Sequence, residues 1–340
     1  MTSTAQAPRG CADPPDVAYD VGLLDLDGVV YLGGSAIPGA AEALRKAEAA
    51  GMRLAYVTNN AFRTPAAIAA LLTSYGVSAT PDDVVTSAQA AARLVAERLP
   101  AGAPVLVIGG AGLRLAVRHH ELRPVTIAAD RPLAVIQGYA PDIGYPMLAE
   151  GSLAVAAGAL FVASNGDLTL PTRRGRQPGN GSMIRVIATA TGIQPLVAGK
   201  PEPPLHRESV LRTGAKRPLI VGDRLDTDIE AGSRVGADSM LVLTGVTNPA
   251  EAVLAAPSQR PTYLAEDLTG LLEPHPAVTS RDGVFGCGGW TARRDGDRLE
   301  LVGGGERIDG LRALCAAAWA DGRTSGESVR IAIRHLGYAG

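Results

Sequence analysis

The chain has 340 residues, 46% hydrophobic and 19% charged, enough for two or three domains with real cores and too apolar for wholesale disorder. A net charge of −2 excludes the broad basic field that recruits nucleic acid or an anionic membrane, so an anionic substrate needs local groups or a metal. Cys11, Cys287 and Cys315 form no CxxC and have no His at ligand spacing, which reads as a reducing cytoplasm without disulfide framework or zinc site.

Residues 1–16 are small, polar and proline-bearing, and read as a flexible tail rather than a signal peptide. The apolar run 21–24 predicts a buried parallel strand that ends in Asp25-Leu26-Asp27-Gly28. By itself that tetrapeptide is equally a turn, since Asp and Gly are ordinary turn formers. A helix is expected over 40–50, then a strand over 53–57 ending in Thr58-Asn59-Asn60. Thr64-Pro65 opens a further helix, with a cap residue and then proline at the first helical position.

A second set of alternations follows between residue 85 and about residue 193, with strands at 105–108, 133–136 and 159–163. Gly109-Gly110-Ala111-Gly112 lacks the third glycine of a dinucleotide fingerprint and has no Gly-Lys-Ser/Thr, so it reads as a turn. The most apolar stretch, around 153–163, is too short and glycine-interrupted to span a bilayer. Strand 218–221 ends in Gly222-Asp223, and Asp226 and Asp228 follow closely. Strand–helix alternation of this kind implies an α/β fold with a parallel sheet, whose ligands sit at the carboxyl ends of its strands. From about residue 274 the text turns glycine- and arginine-rich. It predicts short antiparallel strands over 285–305, a helix over 311–320 and a last strand over 329–333.

Four segments now stand in order: Asp25 and Asp27, Thr58, Lys200 in Ala198-Gly199-Lys200-Pro201, and Asp223 to Asp228. The set resembles the four motifs of the haloacid dehalogenase superfamily of phosphatases. What the resemblance implies is a Rossmann-like core and Mg²⁺-dependent phosphoryl transfer. Asp25 would be the nucleophile that forms an aspartyl-phosphate, and Asp27 the general acid and base. Lys200 would bridge nucleophile and phosphoryl group, while Thr58 and Asn59 bind phosphate and Asn60 completes their turn. Mg²⁺ would be held by the Asp25 side chain, the Asp27 carbonyl and the Asp223 side chain, with Asp228 orienting the metal's waters. Asp226 reads as a structural partner only.

Only about thirty residues separate the first two motifs, whereas a large insertion falls between Thr58 and Lys200. That placement is similar to the C2-capped branch, which contains 4-nitrophenylphosphatases and phosphoglycolate phosphatases. The expected domains are a core over 17–84 and 194–272, a C2 cap over 85–193 and a small α+β C-terminal domain over 275–340. The loop from Asn165 through Asp167 and Leu170 to Pro171 resembles the cap loop that touches the substrate's leaving group. Leu170 replaces the His found in vitamin-B6-phosphate phosphatases, which weakens a pyridoxal-phosphate reading. Arg173 and Arg174 follow as solvated residues within reach of a substrate.

The C-terminal piece resembles that of actinobacterial glycerol-3-phosphate phosphatases, part of an acetyltransferase fold. It is too small for a complete acetyltransferase, so a structural or dimerising role is expected. The leading substrate is therefore glycerol 3-phosphate, with phosphoglycolate or nucleotide monophosphates as the alternative and a non-catalytic binding module as the third reading. The expected partner is a small phosphorylated metabolite, with no nucleic acid and no membrane, and a homodimer is compatible with the chain.

Overall fold

The structure, a computed structural model, describes residues 7–172, 174–320 and 324–338. Its contacts divide the chain into two units, residues 1–54 with 215–340, and residues 55–214.

In the first unit four parallel strands lie side by side in the order Tyr263–Ala265, Asp238–Val242, Pro218–Gly222, Val21–Leu24. Every residue of Val21–Leu24 is buried, as expected for a parallel strand covered on both faces, where period-2 alternation gives way to an apolar run. Residues 9–11 were expected to be loose, yet they are tied down. The Arg9 amide donates to the Thr262 carbonyl at 2.9 Å, and Cys11 exchanges backbone bonds of 2.9 Å with His275.

The C-terminal piece belongs to this same unit. Thr279–Arg281, Val284–Cys287, Trp290–Asp295 and Arg298–Gly303 form an antiparallel sheet in sequence order, as the glycine-rich text predicts. Helix Arg307–Ala320 packs on it, and its Leu311, Leu314 and Trp319 share one hydrophobic cluster with Leu241, Val253 and Leu264. The piece is thus an extension of the parallel sheet's own core.

One expectation fails here. Residues 329–333 form no strand but lie within helix Gly326–His335. Val329, Ile331 and Ile333 alternate as a strand would, yet Ile331 is 63% exposed while Val329, Ala332, Ile333 and Leu336 are buried. That burial has the 3.6-residue period, and the Ser325 hydroxyl caps the first turn by accepting the Ser328 amide at 3.4 Å. Packing against the cluster decided between two periods that five residues cannot separate.

His275 joins the parallel sheet to helix Arg307–Ala320. It is 4% exposed, with Nε2 2.8 Å from the Gly270 carbonyl and Nδ1 accepting from Arg312 Nη2 at 3.0 Å. Burial holds its pKa below the ordinary imidazole range; the Arg312 charge lowers it further, against the opposing Gly270 bond and Asp309 charge. The unfolded chain therefore binds a proton here more readily than the folded one. Stability from this residue is complete above the unfolded imidazole pKa and is lost as pH falls from there toward the depressed folded value. Urea titrations between neutral and mildly acidic pH are expected to show a flatter pH dependence for His275→Gln than for wild type. An equal slope in both would remove His275 as the cause.

The second unit holds a five-stranded parallel sheet in the order Leu196–Val197, Leu160–Ala163, Ala134–Gln137, Pro104–Ile108, Arg123–Val125. Arg53–Thr58 pairs in parallel with Val84–Thr86. The Thr64-Pro65 start is as expected: helix Pro65–Ser74 is capped by the Thr64 hydroxyl, which accepts the Ala67 amide at 3.2 Å. Gly110 leads into helix Ala111–His119. The three cysteines are free. Among the described residues no helix is long and apolar enough to cross a membrane.

Candidate active site

The Asp25 amide donates to the Val221 carbonyl at 2.8 Å, carrying the ladder between Val21–Leu24 and Pro218–Gly222 one residue past the strand end. Asp223 directly follows the partner strand, and Asp228 sits in a wide π-helical turn, Leu225–Ile229. Asp25, Asp223 and Asp228 each offer a carboxylate oxygen, and the three oxygens lie within 4.8 Å of one another. Asp223 and Asp228 are buried and Asp25 half-buried. Three carboxylates so close repel, and desolvation adds to the cost unless a cation joins them. An all-oxygen donor set suits a hard divalent cation.

The backbone is shaped around these oxygens. Gly28 has φ +88°, and a Cβ there would stand 2.3 Å from Asp223 Oδ2. A Cβ at Gly245 would stand 2.0 Å from the same atom. The Val246 amide donates to Asp223 Oδ2 at 2.6 Å, and the Thr244 hydroxyl to the Gly28 carbonyl at 2.5 Å. Sequence reasoning missed this segment. The strand-end rule that singled out Asp25 and Asp223 applies equally to Thr244-Gly245, just past the buried strand Asp238–Val242.

Asp27 does not join the acidic cluster. Its side chain keeps solvent access, and partial desolvation by the groups around it holds the carboxyl above the usual carboxylate range. Asp226 is an exposed partner of Arg224, with guanidinium–carboxylate contacts of 3.0 and 2.8 Å.

A second set of expected residues converges within residues 55–214. Thr58 ends its strand almost buried, and its hydroxyl accepts the Asn60 amide at 3.1 Å. Asn60 Oδ1 accepts the amides of Phe62 and Arg63 at 3.0 and 2.9 Å, so this side chain serves the turn. Asn59 is the hub. Its Oδ1 accepts the Lys200 amide at 2.8 Å, and its Nδ2 donates to the Lys200 carbonyl and to Asp167 Oδ2, both at 3.1 Å. Lys200 Nζ donates to the Val57 carbonyl at 3.1 Å. Asn165 Nδ2 reaches the Asn59 carbonyl at 2.8 Å.

The 165–168 loop is braced from below by residues 179–182. The Asn180 side chain donates to the Asn165 carbonyl, the Gly181 amide to the Asp167 carbonyl, and the Ser182 hydroxyl to the Leu168 carbonyl. Leu170 stands apart, on the hairpin of Thr169–Thr172 and Gly175–Pro178 and opposite Gln177. Arg173 lies outside the described residues.

Comparison with known proteins gives the family. Residues 22–123 match the haloacid dehalogenase-like hydrolases, residues 197–271 the HAD-hydrolase-like family, and residues 287–337 a GCN5-related N-acetyltransferase-like domain. The D-glycerol 3-phosphate phosphatase of Mycobacterium tuberculosis is 46% identical over 308 residues, covering 88% of this chain and 86% of that protein. The chain belongs to the haloacid dehalogenase-like hydrolases. It is an enzyme of their phosphatase group. The 5'-nucleotidase YutF of Bacillus subtilis is 38% identical over 249 residues, 73% of this chain and 95% of that protein. The crystal structure of glycerol phosphate phosphatase Rv1692 from M. tuberculosis in complex with magnesium superposes with a TM-score of 0.86. It is 41% identical and covers 95% of this chain and 99% of that one.

Proposed function

We propose that the chain is a Mg²⁺-dependent phosphatase that hydrolyses glycerol 3-phosphate to glycerol and inorganic phosphate in the cytoplasm. The observation that carries this reading is the gathering of Asp25, Asp223 and Asp228 at two adjacent strand ends. The full-length likeness to a glycerol 3-phosphate phosphatase, C-terminal piece included, supports the substrate.

In this reading the side chains of Asp25 and Asp223 and the carbonyl of Asp27 would hold Mg²⁺, with Asp228 beside them. The bound ion would offset the negative charge that otherwise keeps a carboxylate from a phosphate. An Asp25 oxygen attacks phosphorus as the bond from phosphorus to the glycerol oxygen breaks, giving an aspartyl-phosphate. Asp27 gives its proton to the departing oxygen, and the direction of its pKa supports a protonated resting form. The same carboxylate then takes a proton from water, whose oxygen attacks phosphorus and releases phosphate from Asp25. Lys200, Thr58 and the Asn59 amide offset charge on the phosphoryl oxygens. Residues 17–84 and 194–272 form the catalytic core, 85–193 the C2 cap that excludes water, and 275–340 a structural domain. The loop carrying Asn165, Asp167 and Leu170 selects the leaving group. The bonds from Asn59 to Lys200 and Asp167 support a link between phosphate-binding and selecting segments.

The test is a panel of phosphate monoesters with Mg²⁺, compared by kcat/KM. Glycerol 3-phosphate is expected to exceed phosphoglycolate and nucleotide monophosphates. Parity among the three would remove it as the substrate, and no hydrolysis of any ester would remove the chemistry.

A further inference from the structure

Outside the residues given catalytic roles, a cavity of about 350 Å³ opens among four α-helices and the short helical turn Pro81–Asp83 of residues 55–214. Its polar lining is Asp82 of that turn, Gln89 and Arg93 of helix Ser87–Ala96, His119 and His120 at the end of Ala111–His119, and Glu208 and Arg212 of Pro203–Thr213. It shares no residue with the acidic cluster or with the Asn59–Lys200 network.

The donors here are held ready. Glu208 is 1% exposed and grips Arg93 through Nε and Nη2, which fixes the guanidinium and leaves further N–H groups for another acceptor. Arg212 Nε is buried and, among the described residues, donates to nothing. The nearest carboxylate to Arg212 is Asp82 at 3.9 Å, whose side chain is 94% exposed and easily displaced. Gln89 Oε1 is committed to the Thr86 amide and hydroxyl, which turns its NH₂ into the available end. The formal charges of Arg93 and Arg212 are matched by Glu208 and Asp82, so the site would draw an anion through its directed N–H donors rather than through excess charge. Burial, followed by the charge of Arg93, lowers the His120 pKa, with smaller effects from His119 and Arg212 and an opposing one from Glu208. An arriving anion would relieve that.

We propose that this cavity is a second oxyanion site, which takes a phosphate group either as inorganic phosphate or on a small metabolite. Two guanidiniums, two imidazoles and an amide offer more N–H donors than a carboxylate can use. A phosphate dianion has three terminal oxygens to receive them. The site leads toward the Asn59–Lys200 network. Ser87, first in its helix, donates its hydroxyl to the Asn59 carbonyl at 2.7 Å, and helix Pro203–Thr213 starts three residues past Lys200.

The chain has five histidines, so their imidazole NMR signals report the site directly. The full-length protein in Mg²⁺ buffer is titrated with inorganic phosphate, and Asp25→Asn separately with glycerol 3-phosphate. Saturable shifts of His119 and His120, with His206, His275 and His335 unmoved, are expected with at least one of the two. The tighter titration identifies the source. Arg212→Gln, with its fold checked by circular dichroism, should weaken the titration by about tenfold or more. Unmoved His119 and His120 signals in both titrations would overturn the proposal, as would a titration that Arg212→Gln leaves unchanged. Because the signal is read at imidazoles and not as turnover, failure here and failure of the catalytic reading are separate results.

Discussion

Asp25→Asn is expected to lower kcat on any phosphate monoester by about 10⁴-fold or more, the scale seen when a covalent nucleophile is removed. An amide is a poor nucleophile toward an anionic phosphate. The fold should survive. Asp25 is half-buried at the end of a fully buried strand, and Asn keeps its shape and the backbone bond to Val221. Without metal the variant should be at least as stable as wild type, because one of three mutually repelling carboxylates has become neutral. Added Mg²⁺ should raise Tm less in the variant, since the stabilisation by a bound ion scales with its affinity for the folded state. Thermal melts with and without Mg²⁺ read this independently of turnover. An equal Mg²⁺-induced rise in both proteins would separate Asp25 from the metal site, and residual kcat within tenfold of wild type would remove it as nucleophile.

Trp319→Ala is expected to cost about 3–5 kcal/mol of unfolding free energy, the range for truncating a large buried aromatic. Trp319 is 2% exposed, its indole N–H donates to the Val253 carbonyl at 3.1 Å, and the Arg260 guanidinium lies 5.5 Å from its ring centre. The variant leaves a cavity where the C-terminal helix meets the parallel sheet's cluster, and it orphans the Val253 carbonyl. Urea unfolding should show a lower midpoint with an unchanged slope. Activity should fall only with the folded fraction, because the indole lies in the hydrophobic cluster and holds none of the catalytic groups. A loss below about 1 kcal/mol would mean that the C-terminal piece folds as a separate body, contrary to the shared core.

The clustered carboxylates were legible in the chain because strand ends leave a local mark. An apolar run that stops at Asp25 or Asp223 shows both the buried strand and the polar group presented at its tip. Thr58-Asn59-Asn60 was readable as a turn for the same reason, and the hydroxyl and carboxamide bonds at Thr58 and Asn60 show it. The Thr64-Pro65 helix start was equally plain, since a cap and a fixed φ act over one turn. What could not be read were relations between distant residues. Asn59 reads as one more turn residue until its carboxamide is seen holding Lys200 and Asp167, more than a hundred positions away. Thr244 to Val246 carry no acid or base, and they matter only because Asp223 is folded against them.

The segment 329–333 shows the boundary most clearly. Its alternating Val, Ile and Ile satisfied a strand pattern, whereas the neighbour it packs on demanded a helical stripe through Val329, Ala332, Ile333 and Leu336. Residues 9–11 make the same point, since nothing in a small polar stretch announces that Thr262 and His275 offer backbone partners. By itself the sequence determined the α/β class, the four chemical segments and their order. Those follow from hydrophobic period, caps and turn chemistry, which act over a few residues. The tertiary structure alone decided which carboxylates share a cation's reach, which loop shapes Asp223 and which face of the last helix is buried. Each of these depends on groups brought together by burial across long stretches of chain, where no local pattern records the partner.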